Sequence, residues 1–192
     1  MPGASVVEPV VRVGVVVTFL RMDQAPADPA PALPPGVRVR PEPYCTVATY
    51  RSLYNPVGAA HVWWLRRAMP DHQLAGLLRN PAISIHVLHD EQGRVGGFYE
   101  LDALPWPSVN LSYFGLMPHA VGHGMGFAFL RHAVDEVWRR GARAMTVNTC
   151  TADHPRALPT YVRAGFRVLR EQSEVWNVPL RLGLDIPERL RL

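Results

Sequence analysis

The chain has 192 residues, 48% of them hydrophobic and 19% charged, with a net charge of +4. That length suits one domain with a sizeable core, and the balance excludes general disorder. The positive charge favours an anionic ligand but is too small and dispersed for a nucleic-acid groove.

Val10 to Leu20 is rich in β-branched residues and predicts a strand. It is interrupted by Arg12, too short to span a bilayer, and not preceded by a basic region, so it resembles neither a membrane span nor a signal peptide. Cys45 and Cys150 do not make a disulfide framework. A reduced, soluble, cytoplasmic protein is the expectation. Ala25 to Gly36 is a proline-rich connector that cannot join a sheet centrally. The chain therefore divides into an N-terminal strand and connector (1–36), a main domain (37–180) and a polar-apolar tail (181–192).

Val37 to Val47 predicts a second, weaker strand. Tyr50, Leu53 and Tyr54 then start a helical pattern that continues through His61 to Met69, and Asp71 is placed to cap a third short helix through Leu78. Ile83 to Leu88, a turn at Asp90 to Gly93, and Val95 to Leu101 form a hairpin. Leu104 to Pro107 is a loop, and Val109 to Leu116 is the next strand. Gly122, Gly124 and Gly126 follow it and open into a helix with Phe127, Leu130, Val134 and Val137 on one face, closing near Gly141. Glycines before a helix N-terminus let peptide N–H groups turn toward an anion, and the helix dipole adds to their pull. Physically this is a phosphate cradle. Ala144 to Thr149 is a strand. Asp153 is placed to cap a helix that ends at Gly165, with Pro159 forcing a late start or a kink. Phe166 to Leu169 and Glu174 to Val178 read as two final strands.

The order strand, Gly-x-Gly-x-Gly, helix, strand, Asp-His-Pro-Arg-Ala-Leu and Tyr-x-x-x-Gly-Phe resembles the GNAT superfamily of N-acetyltransferases. The resemblance covers roughly Val37 to Val178. It implies a single-domain α/β (α+β) fold, with a mixed, mostly antiparallel twisted sheet flanked by helices. It also implies acetyl-CoA as co-substrate and transfer of its acetyl group to a primary amine of a small molecule or peptide. Acetyl-CoA would be held by Leu116, Met117, Val121, Gly122, His123, Gly124, Met125, Gly126, Phe127, Asn148 and His154. An N–H around Gly115 to Met117 would face the oxyanion, and Tyr161 matches the family's general acid. Val121 stands where the family usually has Arg or Gln, and His154 where it often has Asn, so backbone amides would do most of the holding.

Read from the residues, Glu100 is the first candidate for the base, because burial in an apolar strand would raise its pKa. Tyr113, His119 and water are the alternatives. Tyr54, Trp63, Trp64, Arg66 and Arg67 form an aromatic and basic cluster suited to the acceptor, with Tyr113 beside them. Neighbouring tryptophans on a helix point about 100° apart, so one of the pair should line a cleft or an interface. His119 and His123 flank a glycine and follow Pro118, which argues against a zinc site, and no metal is expected. Neither nucleic acid nor membrane is an expected partner; a homodimer is left open. A catalytically silent CoA-binding or interaction module on the same fold competes with the enzyme reading. A dinucleotide oxidoreductase ranks lower, because its fingerprint lies in the first βαβ unit.

Overall fold

A computed structural model describes residues 8–192. Strand β1 (Val10–Met22) runs inside the sheet and buries Val13, Val15 and Val17 on one face, the period-two pattern of a packed strand. The other strands are β2 (Arg38–Pro41), β3 (Ile83–His89), β4 (Val95–Asp102), β5 (Ser108–Leu116), β6 (Ala144–Cys150) and β7 (Arg167–Pro179). They form one seven-stranded sheet in the order β2-β3-β4-β5-β6-β1-β7. Every neighbouring pair is antiparallel except β5 and β6. The expected mixed, mostly antiparallel α/β fold is therefore present. β1 belongs to the same sheet as the rest, between β6 and β7; residues 1–7 of the predicted N-terminal segment lie outside the described residues.

Helix α1 (Val47–Gly58) starts behind Thr46, whose hydroxyl accepts the Thr49 N–H at 3.1 Å. It buries Tyr50, Leu53, Tyr54 and Val57, one face at helical spacing. The helical pattern expected through Met69 breaks at Val62, whose φ of 54° is rare for a β-branched residue. A Cβ on Gly58 would lie 2.4 Å from Trp63 Cβ, so this reversal needs glycine. Helices α2 (Leu65–Ala68) and α3 (Asp71–Leu78) follow. Asp71 is the first residue of α3 rather than its cap; Pro70 holds the cap position, and Asp71 pairs with Arg51 at 2.5 Å.

Helix α4 (Met125–Arg139) buries Leu130, Val134 and Val137 as predicted, with Phe129 fully buried and Phe127 only partly so. Helix α5 (Ala157–Arg163) starts late enough to hold Pro159 in its first turn, where a missing N–H is harmless. Asp153 lies upstream of it and caps nothing there. The two predicted final strands are one, because β7 pairs with β1 along nearly its whole length, with one irregularity at Phe19/Leu20. The tail also folds back: Ile186 and Leu190 join a second core with Val13, Val15 and Val17.

Between β3, β4 and α4 lies a buried polar network. His86 is 5% exposed, stacks on Tyr99 with ring centroids 4.6 Å apart, and accepts from Arg140 at Nε2. Burial first, then the Arg140 charge, lower its pKa to about 4, against opposition from Glu136. Protonating it would set an N–H against a guanidinium. Because the folded pKa lies below the unfolded value of about 6.5, stability is complete above pH 6.5 and falls as pH drops toward 4. Denaturant unfolding at pH 7 and at pH 4.5 should differ by about 2 kcal/mol from this group. His86→Gln should flatten that difference.

Candidate functional site: a fork between two parallel strands

β5 and β6 are paired over only four positions, from Ser108↔Ala144 to Leu111↔Val147. At the last turn of this ladder the Thr146 hydroxyl donates to Asn110 Oδ1 at 3.0 Å, and Asn110 Nδ2 donates to Ser112 Oγ at 3.1 Å. Ser112 is the extra residue where the β4–β5 register shifts, and such a bulge bends its strand. Beyond it the strands part. Met117 N–H donates to Gly96 O on β4, so alternation turns the peptide groups of Phe114 and Leu116 the other way, into the fork.

The fork opens into a cavity of about 760 Å³. At one end lies the glycine loop. Gly122 and Gly124 have φ of 89° and 74°, and beyond their immediate chain neighbours no atom lies within 4 Å of where their Cβ would be. They are glycine for backbone conformation, and the space over them is open. Gly124 holds the cap position of α4 without any side-chain bond, so the first-turn N–H groups of a 15-residue helix are unclaimed. Arg156 and Arg163 also line the cavity, and the Arg163 guanidinium lies 4.0 Å from the Phe127 ring centroid. Backbone amides were expected to do most of the holding here; Arg156, at the cap position of α5, and Arg163, at its end, add positive charge that Val121 does not supply.

The opposite end is aromatic. Trp63, Tyr54 and Tyr113 pack with ring centroids 4.8 to 5.3 Å apart. Gly115 makes this possible, because a Cβ there would fall 2.3 Å from Val57 Cγ1. The reversal at Val62 brings both Trp63 and Trp64 to the cavity wall, whereas the expectation that one of the pair would line a cleft or an interface took the helix as continuous. Arg66 lies over Tyr113 and pairs with Glu100 at 2.8 Å, while the Tyr50 hydroxyl donates to the other Glu100 oxygen at 2.5 Å. Burial pulls the Arg66 pKa down, but the Glu100 charge outweighs it and raises the pKa, keeping the guanidinium charged.

Asp153 joins the two ends. Its Oδ1 accepts from Trp63 Nε1 at 3.2 Å, and its Oδ2 accepts from the Thr149 hydroxyl at 2.8 Å and the Cys150 N–H at 2.9 Å. Tyr161 lines the cavity near it, and its hydroxyl makes no hydrogen bond among the described residues. Burial, then the Asp153 charge, raises the Tyr161 pKa, so the phenol holds its proton at neutral pH. His61 flanks Asp153 on the other side, 6.3 Å between ring centroids from His154. Burial lowers its pKa against the pull of Asp153, so its imidazole is neutral at pH 7. Cys150 is pushed up to about 12 by burial and by Asp153, and stays a thiol.

Residues 47–166 match the model of the acetyltransferase (GNAT) family. The chain belongs to the GNAT acetyltransferase family. Members of this family are generally acyltransferases that bind acetyl-CoA. A GCN5-related N-acetyltransferase from Sphaerobacter thermophilus is similar at TM-score 0.63 and 18% identity, over 90% of this chain and 53% of that one. A GCN5-related N-acetyltransferase from Kribbella flavida is similar at TM-score 0.58 and 15% identity, over 88% and 60%. An IAA acetyltransferase from Bacillus cereus is similar at TM-score 0.51 and 20% identity, over 70% and 79%. At these identities the likeness is one of fold. The chain spans 53% to 63% of the length of the first three structures it resembles. No protein of curated function matches the sequence.

Within this GNAT fold the cavity gathers Leu116, Val121, Gly122, Gly124, Gly126, Phe127, Asn148, His154 and Tyr161, with Tyr54, Trp63, Trp64 and Tyr113 across the fork. Met117, His123, Met125, Arg67 and Glu100 lie outside its lining. The lining also includes Asn110, Asp153, Arg156, Arg163 and Trp176, which sequence reasoning passed over. Arg156, Thr160 and Arg163 stand at i, i+4 and i+7, a helical spacing visible in the sequence. Gly124→Ala should cost about 1 kcal/mol, from backbone strain alone. Gly115→Ala should cost about 2 kcal/mol or more, because Val57 must move in a packed core. Denaturant unfolding of the two variants checks the order.

Proposed function

We propose that this protein is an acetyl-CoA-dependent N-acetyltransferase that transfers the acetyl group to a primary amine by direct attack on the thioester. One observation carries this: the unclaimed helix end, the free peptide groups of β5 and the unbonded Tyr161 hydroxyl all face one cavity. The pyrophosphate fits the N–H groups of Gly124 to Phe127, where open space over Gly122 and Gly124 admits it and Arg156 and Arg163 add charge. The pantetheine arm fits the fork, as a surrogate strand bonded to the peptide groups of Phe114 and Leu116. The Leu116 N–H then faces the developing oxyanion.

The remaining work is proton transfer. An alkylammonium acceptor must lose one proton before its lone pair attacks. His61, neutral and on the cavity wall beside Asp153 and His154, takes that proton in our reading. Glu100 is the weaker base, because Arg66 and Tyr50 occupy both carboxylate oxygens and it lies outside the lining. Its role here is to hold Arg66. When the C–S bond breaks, Tyr161 gives its proton to the thiolate, and the second proton of the attacking nitrogen restores the phenol.

Thiol release from acetyl-CoA over a panel of primary amines tests the reading. Tyr161→Phe should lower kcat about 100-fold with acetyl-CoA affinity unchanged. His61→Ala should lower kcat similarly and remove the acid limb of the pH profile, which lies below pH 6.5. Arg163→Ala should weaken acetyl-CoA binding about tenfold, read by calorimetry. Acetyl-CoA binding without thiol release to any amine would leave a CoA-binding module instead.

A further inference from the structure

The acceptor end of the cavity has an uneven inventory of charge and aromatic surface. Its walls carry Tyr54, Trp63, Trp64, Tyr113 and Trp176. Trp63, Tyr54 and Tyr113 belong to the main core, while Trp64 and Trp176 pack against the second core beside β1. Aromatic surface therefore reaches the cavity from both cores of the molecule.

The charges here are few. Asp153 is the single carboxylate among the lining residues. Three donors hold it, from Trp63, Thr149 and Cys150, yet Oδ1 accepts only the Trp63 N–H and keeps a lone pair. Arg66 is the one guanidinium on the aromatic side, and Glu100 already neutralises it. Arg156 caps the start of α5 and Arg163 ends it, and Arg163 is packed on Phe127 at the glycine loop.

Resting on the transferase reading, we propose that the acceptor is an arylalkyl primary amine without a carboxylate, its ammonium held by Asp153 and its ring by the tryptophan and tyrosine walls. Each alternative meets a specific obstacle. An amino acid brings a carboxylate for which the aromatic side offers no uncommitted guanidinium, and sets it near Asp153. A polyamine brings several ammonium groups to one carboxylate. An aliphatic amine of equal length leaves π faces unused that would attract both ring and cation.

The test is calorimetric binding of four amines to the full chain, with and without saturating CoA: 2-phenylethylamine, hexylamine, phenylalanine and spermidine. 2-Phenylethylamine should bind at least tenfold more tightly than each of the others. Trp176→Leu should cut its affinity at least fivefold while changing hexylamine less than twofold. Asp153→Asn should weaken both monoamines; should that variant unfold, the wild-type ranking and Trp176→Leu still decide. Equal or tighter binding of phenylalanine, spermidine or hexylamine, or no binding of any amine, overturns the proposal. A separate acetyl-CoA titration keeps the two readings distinct. Normal acetyl-CoA binding with an inverted amine ranking rejects only the acceptor class. The predicted ranking without acetyl-CoA binding rejects only the transferase.

Discussion

Four residue pairs hold β5 to β6, and the ladder stops where Asn110 takes the Thr146 hydroxyl and Ser112 bulges out. A parallel pair that parts midway leaves peptide N–H and C=O groups without partners, a costly arrangement inside a sheet unless something else bonds them. Here the cost falls at a cavity, where a ligand can supply the missing bonds. The glycine loop follows the freed end of β5 after one tight turn at Pro118–Ala120, so the open end of α4 lines the same space. Gly115 lets α1 approach the outer face of β5, bringing the aromatic cluster with it.

The wall behind that cluster is polar and closed. Glu100 is fully buried and Arg66 only partly so, at 0% and 16% side-chain exposure. Such a pair adds little net stability over an apolar one, yet removing either partner strands the other, at a cost of about 3–5 kcal/mol. The pair fixes where Arg66 sits over Tyr113 and leaves it electrically spent. That is why this end of the cavity presents aromatic surface with one carboxylate, although arginines are frequent in the chain.

Much of the glycine-loop end of the cavity was legible in sequence, because its signals are local. Three glycines before an amphipathic run, and Tyr161 four residues before Gly165, carry their geometry with them. The aromatic end was legible only in composition. Helical spacing placed Trp63 and Trp64 on a continuous helix, but Val62 enters the left-handed region and reverses the chain, which no residue type there announces. Asp153 had the look of a helix cap; its partners are Trp63, Thr149 and Cys150, of which Trp63 is ninety residues away. Phe166 to Leu169 and Glu174 to Val178 read as separate strands, yet pairing with β1 keeps β7 continuous through the polar residues between them. β1 itself was recognisable as a strand, while its partners lie more than a hundred residues along the chain, beyond any periodicity.

A crystal structure of the protein with acetyl-CoA tests most directly whether the fork is the donor site. The pantetheine should lie between β5 and β6 with its amides bonded to the peptide groups of Phe114 and Leu116. The pyrophosphate should sit within about 3 Å of the N–H groups at the start of α4. Density for acetyl-CoA outside the fork, or a pyrophosphate bonded away from Gly122 to Phe127, would contradict it.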